Sequence, residues 1–255
     1  MSNLVLTAGF DRALHVLALA ELLSRGNHKI SAIIVVNPIN LKRLKTVVRQ
    51  RGFKFVGNAV KRVTGKSGGQ TSLMNEFLDK HEVEQRSLKS WASDNNVPYH
   101  VVTNLNAPES LAVLHDSNCD GVLYGGGGIL RSRFIQAASS RVLNAHSGPL
   151  PEIRGMNACE WSILLGYEPA VTIHFIDEGI DTGPLVKQYT IPVTAKDTIE
   201  TLREKCTVTG VEGMLECITA LDQPVPEKRK DAGAHRQCYI MAPAIKSLLE
   251  MRLNN

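Results

Sequence analysis

No stretch of this 255-residue chain is apolar for long enough to cross a bilayer: aliphatic runs such as Ala32 to Val36 fall far short of the roughly 20 residues a spanning helix needs. The start, MSNLVLTAGFDRAL, lacks the basic segment, long apolar stretch and small-residue cleavage site of a secretory signal, so a cytoplasmic location is the expectation. Cysteine is scarce. Cys119, Cys159, Cys206, Cys217 and Cys238 are odd in number and scattered, without CxxC or Cys/His ligand spacing, so we expect reduced, mostly buried thiols and no metal. A dinucleotide fingerprint is missing too, because Gly9 stands alone in TAGFDRA. Acid is absent from Leu22 to Asn75, while lysine and arginine crowd Lys42 to Lys66. That block reads either as a solvated helical face with a flexible loop at TGKSGGQTS or as a site for a phosphate-bearing ligand. A nucleic-acid-binding module would interleave aromatics with the charge, and only Phe53 and Phe55 are there, so that reading is disfavoured.

What is present describes an ordinary globular chain: 43% hydrophobic and 21% charged residues, with a net charge of only +4. Asn3 to Ala8 is a short apolar run followed by Gly9 and then by Val16, Leu19, Ala20 and Leu23 at helical spacing. Gly26 is placed to close that helix, and Ile30 to Val36 is a second apolar strand. Strand, helix, strand with near-continuous apolar strands opens a parallel α/β sheet covered on both faces. Further along, Asn75 to Trp91 predicts a helix, Pro98 to Thr103 a strand and Cys119 to Tyr124 another buried strand. Four glycines, Gly125 to Gly128, follow it, either as a tight turn or as a loop open to a ligand at the carboxyl end of the strand.

The residues that carry chemistry come later. Arg141 to His146 is strand-like, and the period of two puts Asn144 and His146 on one face. SGPLPEIRG after them is punctuated by proline, which argues against regular sheet, and a helix with Trp161, Leu164 and Leu165 follows. Thr172 to Phe175 predicts a strand leading into DEGIDTGP, a loop with three acids, and His174 lies just ahead of it. An amide, an imidazole and a carboxylate at neighbouring strand ends can stabilise an oxyanion and move a proton, which suits acyl-group transfer.

NAHSGPLPEIRG followed by VTIHFIDEGIDTGPL resembles the signature of the 10-formyltetrahydrofolate-dependent formyltransferases: Asn-x-His, a Leu-Pro and Arg-Gly loop, then Asp-x-Gly-x-Asp-x-Gly-Pro. The likeness is sharp from Val142 to Gln188 and fainter over the preceding sheet. It implies a Rossmann-like formyltransferase fold, with Asn144, His146 and Asp181 at the positions of the catalytic Asn, His and Asp. It also implies 10-formyltetrahydrofolate as cosubstrate, its pterin against the glycine loop at Tyr124, Gly125, Gly126 and Leu130 and against Asp177 and Gly179. One departure is Ser147-Gly148-Pro149-Leu150-Pro151, where many members carry Pro-Ser-Leu-Leu-Pro.

The domain expectation is a catalytic domain over 1–195 and a C-terminal helical extension over 196–255. DQPVPEKRKD reads as a polar linker, and Ala242 to Leu253 as a final helix, with Cys238, Met241 and Leu248 packing. Methionyl-tRNA formyltransferases carry a barrel after the core, for which the residues beyond Thr194 are too few, and glycinamide ribonucleotide enzymes are usually shorter. Within the resemblance, enzymes that formylate amino sugars on nucleotide carriers therefore fit best, so the expected partner is a small phosphate-bearing amine. A hydrolase releasing formate from the same folate is a further reading; that family usually has an N-terminal regulatory domain. Many sugar-modifying enzymes of this kind are dimers, although no homodimer interface is legible here.

Overall fold

The computed structural model describes residues 2–36 and 72–253. The basic block Lys42 to Lys66 lies outside them. A seven-stranded sheet forms the centre, in the order β3-β2-β1-β4-β5-β7-β8. Its strands are β1 (Asn3–Ala8), β2 (Lys29–Val36), β3 (Tyr99–Val102), β4 (Gly121–Gly125), β5 (Val142–His146), β7 (Ala170–Phe175) and β8 (Leu185–Thr190). The first five in that order are parallel, and β7 and β8 run antiparallel at the other edge.

Alternation along the strands builds two cores. Leu4, Leu6, Ile33 and Val35 face α1 (Leu14–Arg25), the paired helices α2 (Leu73–Lys80) and α3 (Leu88–Asp94), and the long α7 (Ile199–Glu216). Val5, Ile34, Val122 and Val142 face α4 (Pro108–Ser117) and α5 (Ser132–Ala137). Helices on both faces of a mostly parallel sheet are what the apolar strands demanded. Because β1 lies between β2 and β4, the chain reverses direction across the sheet there, and the crevice beyond the carboxyl ends of such strands is where α/β sheets bind ligands.

Several expectations need correcting. Asn75 to Trp91 is two helices: His81 caps α2, Glu82 takes a left-handed φ of +54°, Val83 is buried, and the Ser87 hydroxyl caps α3 by accepting from Ser90 N–H. The break is satisfied from afar, since the Arg25 guanidinium donates to the carbonyls of His81 (2.7 Å) and Glu82 (2.9 Å). SGPLPEIRG is not wholly irregular either: its end forms β6 (Ile153–Gly155), which pairs in parallel with β9 (Arg236–Cys238). In that pairing Ile153 meets Arg236, 83 positions away, so no local pattern announced it. Leu248, on α8 (Pro243–Leu253), is 53% exposed rather than packed, whereas Cys238 and Met241 are buried. Cys119 is half-buried and the other four thiols are buried.

Residues 196–255 supply α7, a 3₁₀ turn (Ile218–Asp222), β9 and α8. A capping box between Thr198 and Thr201 starts α7, whose Leu202, Cys206, Val211 and Met214 join the same core as β1 and α1. No helix among the described residues is long and apolar enough to cross a membrane.

Candidate functional site

β5 ends at the carboxyl edge of the sheet with Asn144 opposite Tyr124 of β4 on one side and opposite His174 of β7 on the other. That register, set by continuous apolar pairing of Val142 and Leu143, brings the sequence-predicted residues together. His146 is 7% exposed, its Nε2 donating to the Ile153 carbonyl at 2.9 Å and its Nδ1 lying 3.5 Å from Asp181 Oδ2. Nε2 thus donates to a backbone carbonyl while Nδ1 faces the Asp181 carboxylate. Gly148 lets the ring tuck in, since a Cβ there would lie 2.9 Å from His146 Nε2 and 2.6 Å from Ala158 Cβ.

Asp181 occupies a left-handed φ of +51°, a conformation held by its surroundings. Its Oδ2 accepts from the Gly155 N–H at 2.8 Å. Arg154 ties the same loop down, donating to the carbonyls of Ile180 (3.0 Å) and, in the C-terminal segment, His235 (2.7 Å). Asp177, four residues earlier in the loop, accepts from Thr182 and from Lys228 of the polar linker. Burial works to raise its carboxyl, but the Lys228 ammonium and the Thr182 hydroxyl outweigh that and hold it below the usual carboxylate range.

His174 is 1% exposed and bonds to both Asn144 (3.0 Å) and the carbonyl of Phe175 (2.9 Å). Burial first, and the neighbouring His146 second, push its imidazole down to about 4.

Three cavities meet at Asn144. A largely apolar one of about 570 Å³ is walled by Tyr124, Ile129, Leu130, Ile176, Asp177 and Gly179, with His146 and Asp181 at its end. A polar one of about 360 Å³ lies between the end of β5 and α6 (Ala158–Leu165), bordered by His146, Ser147, Asn157, Glu160, Arg203 and Thr207. A third, of about 260 Å³, takes in His15, Gly125 and Gly126. Of the expected cofactor contacts, Tyr124, Leu130, Asp177 and Gly179 thus share the apolar cavity, while Gly125 and Gly126 border the third. In the glycine loop Gly126, Gly127 and Gly128 all take positive φ, and the Tyr124 hydroxyl donates across the loop to the Gly128 carbonyl at 2.7 Å.

Sequence reasoning missed several lining residues. His15 donates to the Gly125 carbonyl at 3.0 Å and is pushed below its ordinary value by burial; its signal was a polar residue beside the apolar stripe of α1. Glu160 is 3% exposed, paired with the Arg203 guanidinium (2.8 Å from Nε) and accepting from the Asn157 amide (2.9 Å). Gln237 to Tyr239 reach the apolar cavity only through the β6–β9 pairing, for which no signal existed. Among the described residues no group of three or more His, Cys, Asp or Glu could hold a metal ion.

Residues 28–218 match the formyl transferase family. In sequence, the chain is 32% identical over 142 residues to methionyl-tRNA formyltransferase of Legionella pneumophila (strain Corby), covering 55% of this chain and 45% of that one. A methionyl-tRNA formyltransferase of Thermodesulfovibrio yellowstonii is 32% identical over 108 residues, 42% of this chain and 35% of that one. The chain thus spans less than half the length of these curated relatives. In structure, it resembles glycinamide ribonucleotide transformylase 1 from Symbiobacterium toebii (TM-score 0.60, 18% identity, 89% of this chain and 91% of that one). It also resembles a sugar N-formyltransferase from Shewanella sp FDAARGOS_354 (TM-score 0.59, 14% identity, 99% and 88%). A third likeness is to a sugar 3N-formyl transferase solved with dTDP and 5-N-formyl-THF (TM-score 0.56, 16% identity, 100% and 80%). At these identities the structural likenesses establish the Rossmann-like fold that the strand pattern and motif implied.

Proposed function

The chain belongs to the formyl transferase family, and from that premise we propose that it moves a formyl group from 10-formyltetrahydrofolate to the amine of a small, phosphate-bearing acceptor, a nucleotide-linked amino sugar. The observation that carries this reading is that Asn144 and His146 border both an apolar and a polar cavity, with Asp181 beside His146 at the end of the apolar one.

A pterin fits the apolar cavity by chemistry: Ile129, Leu130 and Ile176 offer flat apolar contact, and the backbone of the glycine loop and of residues 177–181 offers hydrogen-bonding edges. 10-Formyltetrahydrofolate, bound there, supplies the electrophilic formyl carbon. The acceptor amine comes from the polar cavity, where the Glu160–Arg203 pair is internally neutral and leaves hydroxyl and amide groups to recognise an uncharged, hydroxylated ring.

In the reaction Asn144 donates an amide N–H toward the formyl oxygen as it gains charge. His146 lies beside it, and because Nε2 is engaged by the Ile153 carbonyl, donation to substrate requires that bond to be given up. Asp181 holds the His146 ring in place and takes the amine proton through a water, and that proton passes to N10 of the folate as the bond from the formyl carbon to N10 breaks and tetrahydrofolate leaves.

A second reading, transfer to methionyl-tRNA, draws on the 32% identity to the Legionella enzyme. Tetrahydrofolate release from 10-formyltetrahydrofolate separates the two when measured without amine and then with nucleotide-linked amino sugars, glycinamide ribonucleotide and methionyl-tRNA. Release that requires an amino sugar is expected. Release only with methionyl-tRNA would favour the second reading, and release without any amine would mark a hydrolase.

A further inference from the structure

His174 stands on β7 directly across from Asn144 of β5, and both of its ring nitrogens are engaged. Nδ1 lies 2.9 Å from the Phe175 carbonyl oxygen, which can only accept, so Nδ1 carries a proton. Nε2 lies 3.0 Å from Asn144 Nδ2, while Asp181 Oδ1, at 3.9 Å, is beyond hydrogen-bond reach. Burial keeps the ring neutral near pH 7, and a neutral ring protonated at Nδ1 has a lone pair at Nε2. That lone pair accepts from the Asn144 nitrogen and would repel its oxygen. The amide nitrogen has two hydrogens, of which one is given to His174. The other is left for the cavities, all three of which Asn144 borders.

We infer that His174 is a positioning residue for formyl transfer: through Nε2 it locks the Asn144 amide so that nitrogen, not oxygen, confronts the formyl oxygen as charge develops there. The inference rests on the formyl-transfer reading. With the amide turned over, its oxygen would border the developing oxyanion and oppose it, so a group that fixes the amide acts on kcat more than on binding.

Two measurements test it. In the unsubstituted enzyme with ¹⁵N-labelled histidine, nuclear magnetic resonance near pH 7 should show His174 protonated at Nδ1 only, with an acceptor-type Nε2. A ring protonated at Nε2 overturns the inference, whatever the variants do. His174→Leu, without an acceptor, should lose about 10²-fold in kcat with KM values changed by about twofold or less, and His174→Gln, whose oxygen can accept from Asn144, should recover most of the loss. In an Asn144→Ala background His174→Leu should change kcat by no more than about twofold. Normal kcat in His174→Leu, or losses that simply multiply with Asn144→Ala, overturns the inference. Should His174→Leu fail to fold, the tautomer and the glutamine variant decide. Turnover of the unsubstituted enzyme is read first: its absence falls on the formyl-transfer reading, whereas normal turnover with the wrong tautomer falls on this inference alone.

Discussion

Gly155→Ala should damage stability and turnover together, and Gly166→Ala is its control. Both glycines take positive φ, +96° at Gly155 and +81° at Gly166, so an alanine at either position carries a left-handed strain of about 1–2 kcal/mol. They differ in what surrounds them. A Cβ at Gly166 meets nothing within 4 Å, whereas at Gly155 it would lie 2.1 Å from the carbonyl oxygen of Cys238, a backbone atom that moves only if β9 moves. Forcing the strands apart adds about 1–3 kcal/mol of overpacking. We therefore expect Gly166→Ala to lose about 1–2 kcal/mol and Gly155→Ala about 2–5 kcal/mol in urea unfolding followed by tryptophan fluorescence. Since the Gly155 N–H is the 2.8 Å donor to Asp181, the same displacement should cut the rate of tetrahydrofolate release by about 10- to 100-fold, with no loss in Gly166→Ala. Equal stabilities and equal rates in the two variants would refute the argument that the β6–β9 contact holds Asp181 in place.

Asn144→Ala, His146→Ala and Asp181→Ala should each lower turnover by about 10²-fold or more while far-UV circular dichroism stays unchanged; near-normal turnover in all three would sink the site assignment. Lys228→Ala removes the cation paired with Asp177 and should raise KM for the folate while sparing kcat, an unchanged KM counting against the loop's role. His174 gives a pH dependence. Its value is about 4 when folded against 6.5 when free, so as pH falls the unfolded chain binds the proton first. Stability from this group is intact above about 6.5 and is lost down to about 4, by up to about 3 kcal/mol, then levels off. Melting temperature should fall over that window, and less steeply in His174→Gln; parallel falls would argue that the ring is not held neutral.

How far the sequence could be read depended on the range of the interactions involved. Strands β1, β2, β4 and β5 are apolar in the chain because both faces of the sheet are covered, and Asn144, His146 and Asp181 lie in segments dense enough in Gly, Pro and acid to stand out. The break after α2 could not be read, because it is stabilised by Arg25, and neither could β6, whose partner lies far along the chain. Glu160 and Arg203 belong to different helices, each with unremarkable spacing, and their pairing exists only after α7 has packed. His174 was visible as a histidine ahead of an acidic loop, but its bond to Asn144 depends on antiparallel register.

The pairing of β6 with β9 joins the loop after His146 to a segment 83 positions away, and from that union the apolar cavity takes Gly155 and Met156 on one side and Gln237 to Tyr239 on the other. The candidate catalytic residues and this part of the cavity wall are therefore written in separate stretches of the chain. Because the tail also packs on Gly155, whose N–H binds Asp181, a tail grafted from a relative would alter the rim of the cavity and the placement of Asp181 together.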